Sequence, residues 1–325
     1  MALLDVDSLT KRFATPAGEI TALRDVSFTL QPGEILGVVG ESGCGKSTLA
    51  RTVVGINKPD AGRITLAGND LAGLSGAQGL AIRRRLQMVF QDPFGSLNPR
   101  LTIGSILREP FIVHGIGTRA EQLAEARRLV GLVGLPADAL DRRPHEFSGG
   151  QRQRICIARA IALKPSLVIC DEAVSALDVS VQAQIVNLLL DLRDRSGMGY
   201  LFISHDVNVI RFISDRVLVM YLGAIVEIGP VRAVAQAPRH PYTMRLLSTL
   251  DGAMAREGGR NDEVPSLLSA PAGCRFHRRC PQAAAICAAE TPALRAVGLG
   301  HMAACHFAEG AAAGQLPAPS IPLPA

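Results

Sequence analysis

Short, nearly all-apolar runs alternate along this chain with longer stretches whose apolar residues recur every three or four positions. Residues 2–6, 21–30, 35–39, 63–67 and 86–90 read as strands, punctuated by Pro32-Gly33 and Ala61-Gly62. From Asp92 to about Pro165 the texture is helical. There Thr118 and Glu121 stand at capping-box spacing, followed by apolar Leu123, Ala126, Val130 and Val133. Strands return at 167–170, 200–203 and 216–221. Between the first two, Val181, Ile185, Leu188, Leu189 and Leu192 form one apolar face on a helix spanning about 179–195. Apolar strands alternating with helices predict an α/β fold, its parallel sheet covered on both faces and a helical block, about 92–165, inserted as a subdomain. After about Val234 the pattern turns to Pro, Ala and Gly with short helical pieces. The stretch 309–325 has little to bury and reads as a disordered tail.

The chemistry concentrates where an apolar run ends. Gly40-Glu41-Ser42-Gly43-Cys44-Gly45-Lys46-Ser47-Thr48 lies between the strand 35–39 and a segment, 49–56, that reads as a helix. That is G-x-x-x-x-G-K-[ST] in a strand-loop-helix context. Side chains at Gly43 and Gly45 would block the loop amides that, with the helix N-terminus, cradle phosphates. Lys46 is placed for the β/γ-phosphates and the Ser47 hydroxyl for Mg²⁺. A second apolar run, 167–170, ends in Asp171 and Glu172, at the strand edge where α/β sheets bind ligands. Asp171 is the candidate Mg²⁺ carboxylate and Glu172 the candidate general base for an attacking water. In Phe147-Ser148-Gly149-Gly150-Gln151, Ser148 and Gln151 have capping-box spacing, yet two glycines in a first helical turn cost roughly 1 kcal/mol each against Ala. They make sense if an anion approaches the exposed amides.

Composition narrows the class. With 325 residues there is room for one large core and a smaller appendage, and no apolar run of 18 residues is free of charge. The start lacks a basic region followed by a long apolar one, so no signal peptide is expected and the chain should stay in the cytosol. The net charge of +5 suits a nucleotide or an anionic membrane surface as well as nucleic acid. Aromatics are scarce and Trp is absent, which argues against binding single strands by base stacking. Cys44, Cys156 and Cys170 are scattered, while Cys274, Cys280, Cys287 and Cys305 crowd the last fifth, a clustering that in a reducing compartment points to metal before disulfides.

The order of motifs resembles the nucleotide-binding subunit of ABC transporters over about residues 1–235. It runs from the phosphate loop through Gln91 in Val89-Phe90-Gln91-Asp92-Pro93, Ser148-Gly149-Gly150-Gln151 and Asp171-Glu172 to Ser175-Ala176-Leu177-Asp178 and Ile203-Ser204-His205-Asp206. The resemblance implies a RecA-like P-loop core with an inserted helical subdomain, and ATP with Mg²⁺ as its ligands. It implies that Gln91 contacts Mg²⁺ or the attacking water and senses the membrane partner, and that His205 touches the γ-phosphate. Ser148, Gly149, Gly150 and Gln151 would bind the γ-phosphate held by an opposite subunit, with Asp178 at the dimer interface. Phe13 would stack on adenine. By the bland alternatives, Asp178 is an N-cap, His205 a surface histidine and Phe13 a core residue. Phe147, Ala173 and Cys44 depart from the usual residues, and none of them removes a chemical group.

Longer strings, residues 89–100, 178–184 and Arg239-His240-Pro241-Tyr242-Thr243, are similar to the ATPase subunits of the dipeptide/oligopeptide/nickel importers. That resemblance implies a C-terminal extension at 236–308 in which Cys274, Cys280, Cys287 and Cys305 hold a [4Fe–4S] cluster. The spacing itself matches neither the common zinc nor the ferredoxin patterns. Zinc, with His277, His301 or His306 competing as ligands, and free thiols or a redox disulfide therefore stay open. The implied partners are a second ATPase subunit (a homodimer or a heterodimer), two transmembrane permeases and, indirectly, an extracytoplasmic solute-binding protein, with no nucleic acid. The implied location is the cytoplasmic face of a bacterial inner membrane, peripherally bound. A soluble ABC ATPase acting on nucleic acid or ribosomes is the alternative, disfavoured by a single cassette without coiled-coil insertions, and an exporter ATPase is the third reading.

Overall fold

The structure is a computed structural model that describes residues 1–248 and 267–308. β1 (Leu4–Thr15) and β2 (Gly18–Leu30) form an antiparallel hairpin, and the Pro32-Gly33 turn, with Gly33 at φ 73°, leads into β3 (Ile35–Val39). After the glycine loop come α1 (Lys46–Val53), β4 (Ala61–Leu66), β5 (Asn69–Asp70), α2 (Gly76–Arg85) and β6 (Leu86–Val89). The helical block holds α3 (Pro93–Ser96), α4 (Ile103–Val113), α5 (Arg119–Leu132) and α6 (Gly149–Ile161). Both expected capping boxes form, Thr118 with Glu121 opening α5 and Ser148 with Gln151 opening α6. The chain then returns to the sheet through β7 (Leu167–Asp171), α7 (Val179–Ser196), β8 (Gly199–Ile203), α8 (Val207–Ile213), β9 (Arg216–Tyr221) and β10 (Ala224–Pro230). α9 (Val231–Gln236), α10 (Pro241–Ser248), α11 (Ala285–Ala289), β11 (Arg295–Gly298) and β12 (His301–Ala303) complete the described α-helices and strands. None of the described helices is long and apolar enough to cross a membrane.

Two sheets carry the fold. One is antiparallel, in the order β2-β1-β4-β5, and the other has eight strands in the order β11-β12-β10-β9-β3-β8-β7-β6. In the larger sheet β9, β3, β8, β7 and β6 pair in parallel. β3 is buried throughout because both of its faces are covered. Ile35 and Val39 belong to the core shared with α4 through α8, whereas Leu36 and Val38 belong to the core under α1 and the smaller sheet. An unbroken apolar run is what a strand between two cores requires. In consequence the carboxyl ends of β3, β8, β7 and β6 lie side by side, and the segments that follow them meet along one edge.

The pattern reading needs correcting in three places. α1 begins at Lys46, not near 49, because the helix starts inside the glycine loop. The large sheet is mixed: β10 runs antiparallel to β9 across a tight Leu222-Gly223 turn, with both residues at positive φ (44° and 80°). A Leu in that conformation hides the turn from residue statistics. β12 then pairs with β10 through Glu227↔Ala303 and Ile228↔Met302, so within the expected extension β11 and β12 join the edge of the main sheet. The expected tail, 309–325, lies outside the described residues.

Candidate active site

The glycine loop follows β3, and each glycine has its own reason. A Cβ at Gly40 would overlap Met220 O and come within 2.7 Å of Cys44 Sγ, and one at Gly45 would come within 2.5 Å of Ala22 O on β2. Gly45 (φ 107°) and Gly43 (φ 77°) sit in the left-handed region, Gly43 with open space beside it. Protein backbone therefore dictates Gly40 and Gly45, so of the two glycines expected to clear the way for phosphate, Gly45 has a packing reason as well and Gly43 does not. No side chain caps the start of α1, which leaves its first-turn amides directed into the loop. Lys46 is buried, and its Nζ donates to the carbonyls of Gly40 (2.8 Å) and Glu41 (3.1 Å). Ser42 forms the exposed crest of the loop and Thr48 lies half-buried in the first turn of α1.

From the next strands come the acids. Ser47 Oγ donates to Asp171 Oδ1 at 2.9 Å, which joins the loop to the end of β7 and presents two hard oxygens side by side, a donor pair suited to Mg²⁺. Asp171 is buried, and that burial pushes its carboxyl pKa up against the opposing Ser47 hydrogen bond, with Glu172 adding to the rise. Glu172 adopts a left-handed φ of 48°, uncommon outside glycine, with its N–H bonded to Ile203 O at 3.0 Å. The turn brings its carboxylate to the segments after β6 and β8. Gln91 Nε2 donates to Glu172 Oε2 at 3.1 Å, and His205 Nδ1 lies 3.3 Å from the same oxygen. Gln91, Glu172 and His205 thus converge beside the Ser47–Asp171 pair. A water held near Glu172 Oε2 would meet a base, an amide and an imidazole together.

The remaining expected residues do not join this cluster within the chain. Ser148 and Gln151 bond each other at the start of α6 (Ser148 N–H to Gln151 Oε1, 3.0 Å), and no described hydrogen bond links them to the glycine loop. A Cβ at Gly150 would overlap Val181 Cγ1 on α7, so packing accounts for this glycine, while Gly149 has only Leu177 at an ordinary distance of 3.7 Å. The anion argument therefore rests on Gly149 and the amides, not on both glycines. Asp178 occupies the N-cap position of α7 without a side-chain cap bond, so the bland reading of it as a cap is not realised. Phe13 is 37% exposed on β1, with Lys11 Nζ 5.2 Å from its ring centre, and is not a core residue.

Two partners of the loop come from far along the chain, and no motif reading linked either of them to the loop. Tyr242 Oη accepts the Glu41 N–H at 2.8 Å, and Arg279 holds the Glu41 carboxylate by two bonds of 2.8 and 3.0 Å. Beneath them Glu227 is fully buried and accepts from the N–H groups of Arg239 (2.8 Å) and His240 (2.9 Å), with His301 Nε2 at 2.7 Å.

All seven cysteines are free thiols. Cys44 is buried within the loop and burial raises its pKa, so it is a poor target for modification despite its position. Cys274, Cys280, Cys287 and Cys305 line one small cavity together with His240, Phe276, His277 and His306. His301 is not on its wall and is occupied by Glu227. Burial raises Cys274, Cys305 and Cys280, the last to about 11, and each thiol's neighbours among the four add to the effect. Among the described residues no group of three or more His, Cys, Asp or Glu is gathered as closely as one metal ion requires.

The family model described as ABC transporter matches residues 23–175, and that described as oligopeptide/dipeptide transporter, C-terminal region, matches residues 226–287. Among curated proteins the chain is 51% identical to "Probable peptide ABC transporter ATP-binding protein y4tS" of Sinorhizobium fredii, across 97% of this chain and 92% of that one. It is 47% identical to "Oligopeptide transport ATP-binding protein AppF" of Bacillus subtilis, across 91% and 92%. Among solved structures it is similar to the ATP-binding cassette MJ0796, in a dimeric post-hydrolysis state bound to ADP and Pi. There the TM-score is 0.65 at 28% identity, covering 70% of this chain and 99% of that one. It is also similar to cbiO1 of Clostridium perfringens, part of the ABC transporter complex cbiONQ, with a TM-score of 0.64 at 26% identity, covering 72% and 90%.

Proposed function

The chain belongs to the ATP-binding proteins of ABC transporters, in the group carrying the oligopeptide/dipeptide transporter C-terminal region, and from this premise we propose that it hydrolyses ATP to energise uptake of peptides by an ABC importer. The observation that carries the reading is the meeting of Ser47 with Asp171, and of Gln91 and His205 with Glu172 Oε2, along one sheet edge. Lys46 and the loop amides would bind the β- and γ-phosphates, Ser47 and Asp171 would hold Mg²⁺, and Phe13 would offer its exposed ring to adenine. Glu172 accepts the proton of the attacking water, Gln91 orients that water, and His205 takes the γ-phosphate side.

This half-site needs a second. Ser148, Gly149, Gly150 and Gln151, with Asp178, serve the nucleotide of a partner subunit in a head-to-tail pair, as their lack of contact with the chain's own loop supports. Closure on ATP and opening after hydrolysis supply the stroke. The pair, two copies of this chain or two related chains, works against two permease subunits on the cytoplasmic face of the membrane, fed by a solute-binding protein outside. Exposed apolar side chains such as Phe94, just past Gln91, and Ile112 on α4 offer a surface for the permease. Pull-down of the full chain from native membranes tests this: two multi-spanning proteins should come with it, and recovery with ribosomes or nucleic acid instead would overturn the transport reading.

The thiol cavity is the site for a [4Fe–4S] cluster held by Cys274, Cys280, Cys287 and Cys305. Such a cluster would supply a structural cross-link with redox character. Four thiols would also suit zinc, and it is the resemblance of this segment to the importer family's cluster-binding segment that favours the cluster. Anaerobic purification should yield a brown protein with about four irons per chain. Colourless, zinc-containing protein would exclude the cluster.

A further inference from the structure

Three anchors converge on one loop residue, Glu41, and two of them come from beyond the nucleotide-binding motifs. Its carbonyl takes the Lys46 ammonium (3.1 Å), its N–H goes to Tyr242 Oη (2.8 Å), and its carboxylate is gripped at both oxygens by Arg279 (2.8 and 3.0 Å). Both Arg279 nitrogens that face Glu41 therefore find an acceptor, and Nη1 also reaches Tyr221 Oη at 3.2 Å. The Arg279 side chain is 3% exposed and that of Glu41 26%, so the arginine's end of the pair is shielded from solvent and salt while the carboxylate is partly open. The arginine is further enclosed by rings: Tyr221 and Tyr242 lie 4.6 Å apart, and Phe276 meets Tyr221 edge-on at 5.3 Å. Arg279 Cζ is 5.8 Å from both the Tyr221 and the Phe276 ring centres.

The backbone that carries this arginine is itself pinned. Arg279 N–H bonds Phe276 O at 2.9 Å, and Cys280, the next residue, lines the thiol cavity with Phe276. The path from cavity to phosphate loop is thus one residue long on the C-terminal side and one ion pair wide. Lys46 and the 40–41 carbonyls must be correctly placed for the loop to receive phosphates, and nothing else described holds the Glu41 carboxylate.

We propose that Arg279 is a positioning residue for nucleotide binding, and that by fixing Glu41 it makes the shape of the phosphate loop depend on the cysteine-bearing C-terminal region. The proposal rests on the reading of residues 40–48 as an ATP site. The arginine touches no nucleotide and acts through Glu41. Because coupling is reciprocal, a C-terminal region that loses its order lowers ATP affinity, and bound ATP steadies the wall of the thiol cavity.

The test measures affinity of the full-length protein for fluorescent Mg·ATP in wild type, Arg279→Gln, Glu41→Gln and the double variant, with nucleotide-free thermal unfolding alongside. Each single change should raise Kd about tenfold, and the double change should raise it no further, as a shared interaction requires. An arginine that only tacks the C-terminal region down would lower Tm and leave the Kd of the folded protein unmoved, and that result would overturn the proposal. So would tenfold effects that multiply in the double variant. If Arg279→Gln does not fold, Glu41→Gln alone decides, since it removes the carboxylate and leaves the arginine's surroundings in place, and an unchanged Kd sinks the proposal. Wild type that binds no Mg·ATP, or a Lys46→Ala variant that binds it as well as wild type does, would instead overturn the nucleotide reading itself.

Discussion

Replacing Glu172 by Gln isolates the chemical step. The wild-type Oε2 accepts from Gln91 Nε2 at 3.1 Å and lies 3.3 Å from His205 Nδ1. A glutamine is nearly isosteric, and by turning its amide it can still present an oxygen to Gln91. The left-handed backbone at residue 172 is unchanged in kind, and Lys46, Ser47 and Asp171 are untouched. ATP affinity should therefore stay within about threefold, well under the 1.4 kcal/mol that a tenfold change requires. What disappears is the proton acceptor. General-base catalysis contributes about 10²–10⁴-fold, so turnover should fall by that factor, equivalent to about 2.7–5.4 kcal/mol of barrier. Single-turnover phosphate release beside a fluorescent-nucleotide titration separates the two effects. Phosphate release within tenfold of wild type would remove Glu172 as the base. A large loss of affinity would show that its contacts serve binding before chemistry.

Asp171→Asn should separate stability from function. Burial raises the folded carboxyl pKa, so the folded state holds this proton more tightly than the unfolded state, and ionisation costs stability as pH rises from about 3.9 through the raised value. The neutral variant should unfold at a higher temperature at pH 7, since each kcal/mol moves Tm by about 2–4 °C in a domain of roughly 150–250 residues and by less in a longer chain. The gain should vanish in acid, and Mg²⁺-dependent nucleotide binding should be lost at every pH. His240 works in the opposite sense: it is buried, held down to about 3, and its Nδ1 accepts from Tyr242 N–H at 3.0 Å. The unfolded chain takes up that proton near pH 6.5, so stability drains as pH falls from about 6.5 toward 3, by about 1.4 kcal/mol per unit. In His240→Asn the amide oxygen replaces Nδ1 and cannot titrate, and its acid-unfolding profile should be shallower by that slope. Gly150→Ala should cost about 1–3 kcal/mol by overpacking against Val181, read as a lower urea midpoint. Adding Val181→Ala should restore most of it, and a failure to restore would return Gly150 to the anion argument.

What sequence reading reached and what it missed divide along chain distance. The phosphate loop and Asp171-Glu172 were legible because each sits at the end of an apolar run, whereas Gln91 and His205 were reached through the order of motifs that the family resemblance supplied. A parallel sheet sends all such ends to one edge, so the site's assembly follows from the fold class. The two capping boxes were legible for a similar reason, since their partners are three residues apart. Glu41 shows the other side. Its bonds to Tyr242 and Arg279 span 201 and 238 residues, and nothing in the spacing of either partner announces them. Gly150 shows the same limit: packing against Val181 on another helix requires a glycine there whether or not an anion approaches its amide, and nothing in the local sequence announces that contact. β10 was hidden by a leucine in a left-handed turn, and with it went the register that carries β12 and the cysteine-bearing segment onto the main sheet. That one missed strand is why 236–308 read as an appendage. Once β12 is placed beside β10, His301 meets Glu227, Glu227 orders the turn at Arg239 and His240, and that turn delivers Tyr242 to the loop. The C-terminal region is then part of what shapes the ATP site, and a truncation near residue 235 should lose nucleotide affinity even though every motif of the cassette remains.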